Sequence, residues 1–120
     1  MRKLYIRRER ALACFAIPYH CVVDEPMAEH LRRIETLDRR TLMLSHDENT
    51  VRNGETICLA HDETAGSLFV IAYREHDVLA TETLPIPAGD GDLRFTVTTQ
   101  YDGDRRLSLS LSAERAQEQN

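Results

Sequence analysis

Three His-Asp pairs stand at constant spacing in this chain: His46-Asp47, His61-Asp62 and His76-Asp77, each 15 residues from the last. Imidazole nitrogens and carboxylate oxygens are ligands that zinc and other first-row metals take, so the pairs invite a metal-site reading. The ligands of one ion must all converge to about 2 Å from it. In antiparallel strands joined by turns, successive turns lie at alternate ends of the sheet. That puts His61 a strand length, roughly 15–20 Å, from both His46 and His76. Only His46 with His76 survives as a ligand pair, near the loop that carries Asp90–Asp92. The preferred reading is plainer: each pair opens a turn whose aspartate bonds its own backbone. The spacing then measures strand plus turn.

The other chemistry-bearing residues also reduce to structure. Cys14, Cys21 and Cys58 are odd in number and lack paired spacing, which argues against a disulfide framework and fits a reducing compartment. Each is expected as a small buried hydrophobe. Cys58-Leu-Ala-His61 has the outline of half a zinc site, but strand alternation sends Cys58 and His61 to opposite faces. Asp90-Gly91-Asp92 and Asp102-Gly103-Asp104 lack the full calcium-loop pattern and read as turns. There is no G-x-S-x-G elbow, P-loop, G-x-G-x-x-G or H-E-x-x-H motif. Ser67 follows Gly66 in a turn setting, and nothing marks it as activated. The Arg-Arg doublets (7–8, 32–33, 39–40 and 105–106) could make an anion-binding surface if the helix and the last hairpin face the same way, but with an Arg:Lys ratio of 14 to 1 the preferred reading is a bias of genome base composition. No catalytic residue, cofactor site or metal ligand is assigned, and the chain is expected to be no enzyme.

The elements that would position these residues are mostly strands. Leu93, Phe95, Val97 and Thr99 alternate with Arg94, Thr96, Thr98 and Gln100. After Asp102-Gly103, Leu107, Leu109 and Leu111 alternate with three serines. Period two on both sides of an Asp-Gly turn predicts a hairpin over 93–112. Further strands are expected at 4–6, within 11–23, and at 41–45, 55–60, 67–73 and 78–84, with an Asn53-Gly54 turn and a long loop over 85–92. The 67–73 run is apolar on both parities and belongs at the centre of the core. Residues 114–120 read as a frayed tail. One short helix is expected over about 25–38, because Asp24 can cap it, Pro26 suits a first turn, and Met27, Leu31 and Ile34 share a face.

Length and composition bound the rest. The 120 residues suffice for one domain with one core, spanning 1–120. No stretch approaches the ~20 apolar residues that span a bilayer. The apolar run 11–17 is too short, and followed too poorly, for an export signal. A cytoplasmic protein is expected. The first ten residues carry five basic groups and one acidic, while the chain as a whole is at −5. Lys3 and Arg7 are read as charges on the solvent side of an edge strand, where they deter aggregation. With an acidic body, three Phe, four Tyr and no Trp, neither nucleic acid nor membrane is expected as a partner.

The stretch Arg52-Asn53-Gly54-Glu55, a strand, Asp62 through Gly66, then Ser67-Leu68-Phe69-Val70 resembles the small bacterial sandwich modules of the PEGA type. In those modules an Asn-Gly turn precedes a strand, an acidic or Gly turn and an apolar strand. The resemblance covers about 20 residues. It implies a non-catalytic accessory or interaction unit and carries over no residue role. The expected fold is all-β, an antiparallel two-sheet β-sandwich of seven or eight short strands with the one helix. The expected function is an interaction or accessory domain of bacterial type, acting through a sheet face or edge, with a homodimer or another protein as partner. The alternative is a small ligand- or metal-binding module built on His46, His76 and Asp90–Asp92.

Overall fold

Arg2–Arg8 form the first strand, β1, in which burial alternates strictly. Arg2, Leu4, Ile6 and Arg8 point inward and are buried, whereas Lys3 and Arg7 are exposed and Tyr5 is half-buried. The computed structural model describes residues 1–12, 17–23, 49–74, 77–101 and 107–115. Seven more strands follow: β2 (Tyr19–Val22), β3 (Thr50–Val51), β4 (Thr56–His61), β5 (Gly66–Arg74), β6 (Asp77–Ile86), β7 (Leu93–Tyr101) and β8 (Leu107–Arg115). They form two four-stranded sheets, ordered β4-β1-β7-β8 and β3-β2-β5-β6. The protein is an all-β sandwich, and no helix occurs among the described residues. The helix expected over 25–38 and the strand at 41–45 lie outside them, as do the Asp102-Gly103 turn and part of the 11–23 run.

Pairing is antiparallel except between β1 and β7, which run parallel from Leu4 opposite Leu93 to Arg8 opposite Val97. A parallel pair needs a crossover, and here the whole β3-β2-β5-β6 sheet lies in the chain between its two members. β1 therefore sits inside its sheet, flanked by β4 and β7. This corrects the edge placement read from its charges: Lys3 and Arg7 face solvent from an interior strand.

The core fills the space between the sheets. Leu4 and Ile6 of β1, Leu93, Phe95 and Val97 of β7 and Leu109 of β8 meet Tyr19, Cys21, Leu68, Val70 and Ala72 from the other sheet. Apolar surface removed from water stabilises the fold by roughly 25 cal/mol per Å². β5 is buried on both faces, since Phe69 and Ile71 are as inaccessible as Leu68 and Val70. That agrees with its two apolar parities.

Besides β1, expected only over 4–6, the ends of β6 and β8 differ from expectation. β6 continues through Pro85 to Ile86, so the loop starts at Pro87. A proline is tolerated there because, among the described residues, β6 is an edge strand with no ladder on its outer side. β8 continues to Arg115, since Arg94 and Leu93 of β7 offer it Glu114 and Arg115 as register partners. The 53–54 turn is as expected. Gly54 has φ 77°, a left-handed conformation that suits glycine, and Asn53 Oδ1 accepts the Ala11 amide at 2.9 Å.

Candidate functional site

His61 ends β4, and Asp62 begins the turn to β5. The Asp62 carboxylate accepts the Thr64 amide at 2.9 Å and also the Thr64 hydroxyl. Those two hydrogen bonds, the hydroxyl's first, hold the Asp62 carboxyl below its ordinary value. His61 Nε2 donates to the Thr64 carbonyl at 3.2 Å. This His-Asp pair is thus spent on its own turn, as the turn reading expects. His46 and His76 lie outside the described residues. Among the described residues no group of three His, Cys, Asp or Glu side chains is placed to hold a metal ion.

The 87–92 loop has a resident cation of another kind. Arg2 is 3% exposed, and its guanidinium donates to the carbonyls of Gly91 (2.8 Å) and Pro87 (2.5 Å). Asp92 Oδ1 accepts the Lys3 amide at 2.8 Å, and the Gly89 amide donates to the Glu63 carbonyl at 2.9 Å. The carbonyls of Pro87 and Gly91 and one carboxylate oxygen of Asp92 are therefore engaged by guanidinium and main-chain donors. The Asp-Gly-Asp run is a lid over Arg2.

Arg8 does the corresponding work at the other end of β1. It is fully buried, lies 3.5 Å over the Tyr19 ring, and donates Nη1 to the carbonyls of Ile17 (2.5 Å) and Val51 (3.2 Å). The Tyr19 hydroxyl meets Thr99 Oγ1 at 2.6 Å and so ties the two sheets together. Cys21 is buried nearby. Burial pushes its thiol up to about 12, with the Arg8 charge pulling the other way. A thiol held neutral is no nucleophile. Cys58, expected to be buried, is instead exposed, because strand alternation turns it to the outer face of β4.

Sequence reasoning missed both buried arginines. The signal was available, because positions 2 and 8 share the parity of Leu4 and Ile6 in an unbroken alternation. Reading the strand only over residues 4–6 lost it.

What remains without a structural task is a strand edge. Among the described residues the sandwich has four, at β3, β4, β6 and β8. β3 has two residues and β4 six. β6 and β8 lie on the same side of the sandwich and pack against each other, yet they are built differently. β6 carries Pro85, a register irregularity that leaves Leu79 without a partner, and Glu82. Glu82 shares parity with Leu84 and Ile86 and stands opposite buried Val70. An inward charge, a bulge and a proline are the devices that stop an edge from taking another strand. β8 carries none of these between Leu107 and Ala113. Leu107, Leu109 and Leu111 face the core, and Ser108, Ser110 and Ser112 are exposed. Among the described residues its outer row of main-chain donors and acceptors has no hydrogen-bonded ladder partner, although β6 packs close by.

No protein-family model, no curated protein and no solved structure matches the chain. Among the described residues no helix is long and apolar enough to cross a membrane.

Proposed function

We propose that the protein is a non-enzymatic interaction domain, of the bacterial accessory kind and acting in the cytoplasm, that takes a partner strand on the β8 edge. The observation that carries this reading is the contrast between the two edges on one side of the sandwich. β6 has three guards, and the nine-residue β8 has none of them over its leucine–serine alternation. Strand addition supplies affinity through main-chain hydrogen bonds and specificity through alternate side chains. A strand added here finds Leu107, Leu109 and Leu111 on the core side and three serines on the other. The absence of catalytic motifs, the structural use of Arg2, Asp62, Asp92 and Cys21, and the PEGA-type resemblance of residues 52–70 point the same way.

Amide hydrogen exchange tests the reading. Dilute protein is mixed with a peptide as long as β8 that alternates valine and threonine. The expected result is added protection at Leu107–Ala113 and none at β6, with loss of that protection in a Leu111→Lys chain, whose inward charge copies Glu82. Protection confined to β6 or β4, or none anywhere, overturns it.

A further inference from the structure

We infer that the strand β8 receives is a second copy of β8, paired antiparallel about a two-fold axis that lies midway between Ser110 and its own copy. The inference rests on β8 being the pairing edge and names its occupant. A two-fold axis normal to the sheet pairs residues whose numbers have a constant sum. Only an even sum keeps the leucines of both copies on the core side, because a shift of one residue exchanges the faces.

Few such registers overlap well. Centred on Ser110, Leu109 meets Leu111 twice, Leu107 meets Ala113 twice and Ser108 meets Ser112 twice. Leu107 and Leu111 are only partly buried in one copy, and Ala113 is exposed on the leucine parity. All three gain cover from the partner strand. Centred on Leu111, one leucine pair remains, and Leu107 is set against Arg115. Centred on Leu109, the ladder shortens to residues 107–111.

The result is one continuous sheet, β4-β1-β7-β8 followed by the partner's four strands in reverse order. A single two-stranded seam between pre-formed sheets, set against the cost of association, places dissociation on the order of micromolar.

Cysteine placement reads the register directly. In a Cys14→Ser, Cys58→Ser chain the remaining native thiol is the buried Cys21. The Ser110 axis brings Ser110 opposite its own copy at a Cα separation of about 4.5–5.5 Å, within disulfide reach. Ser108 is set about 13 Å from its own copy. A Ser110→Cys chain is therefore expected to oxidise to a covalent dimer about tenfold faster than Ser108→Cys or Ser112→Cys alone. A mixture of the last two is expected to cross-link as readily as Ser110→Cys. Light scattering on the unaltered chain is expected to rise from 13.8 kDa toward twice that mass with concentration. Equal cross-linking at 108 and 110, or a monomer still present alone at about 100 µM, overturns the inference. A monomer whose β8 is nonetheless protected by the valine–threonine peptide removes the second copy and keeps the edge. A monomer without that protection removes both.

Discussion

Arg7 and Arg8 are identical in type and adjacent in sequence, yet alternation gives them opposite tasks, so replacing each by methionine should separate them sharply. Arg8→Met keeps the length of an apolar stem but leaves the carbonyls of Ile17 and Val51 without their guanidinium donor. A buried acceptor left unsatisfied costs about 1–3 kcal/mol. The contact over the Tyr19 ring adds about 2 kcal/mol at a desolvated site. Relief from burying a charge returns part of this, and a net loss of about 3 kcal/mol is expected. With a urea m-value of about 1.5 kcal/mol per M, the unfolding midpoint falls by about 2 M. Arg7→Met, on the solvent side, should stay within about 0.5 kcal/mol of the parent. Arg8→Lys keeps a cation but loses the planar guanidinium that stacks on Tyr19 while its Nη1 reaches both carbonyls, so its midpoint should fall between the two. Equal midpoints for the two methionine variants, or a greater loss from Arg7→Met, would refute the assignment of Arg8 as a buried tie.

The thiols should divide by burial. In a Cys14→Ser chain at pH 8, an aromatic disulfide reagent should modify Cys58 promptly and Cys21 only after denaturation, because burial pushes the Cys21 thiol up to about 12. Prompt release of two equivalents from folded protein would contradict that. Thr64→Val should move the Asp62 carboxyl back up toward its ordinary value, followed by carboxyl-carbon NMR titration. The folded-state value lies below the unfolded one, so this group's contribution to stability is complete above the unfolded aspartate pKa. It is lost as pH falls through the folded value. An unchanged titration would show that Thr64 is not the cause.

Much of the scaffold was legible because period-two alternation reports a half-buried strand regardless of its neighbours. The 93–112 hairpin, the 55–60 strand, the doubly apolar 67–73 strand and the Asn53-Gly54 turn all follow from local chemistry. Errors came where local chemistry has two outcomes. Pro85 reads as a breaker, yet an edge strand accommodates it. Glu114 and Arg115 read as tail, yet β7 is long enough to pair them. Lys3 and Arg7 read as edge charges, because no local signal tells an interior strand from an edge.

Alternation by itself fixed which side chains of each strand share a face, and so it determined the sandwich. It also placed Arg2 and Arg8 with Leu4 and Ile6. Only the tertiary structure decided which strands lie side by side. The β1–β7 pairing joins residues about 90 apart, and the free energy for that choice comes from core packing between sheets, not from any local preference. The edges follow from strand order. β6 and β8 are both sequences of nine or ten residues with turn signals around them, and nothing in either says that a neighbour is missing. Once the order is known, a proline, a bulge and an inward glutamate on one edge gain a physical meaning. Their absence from Leu107–Ala113 on the other does too.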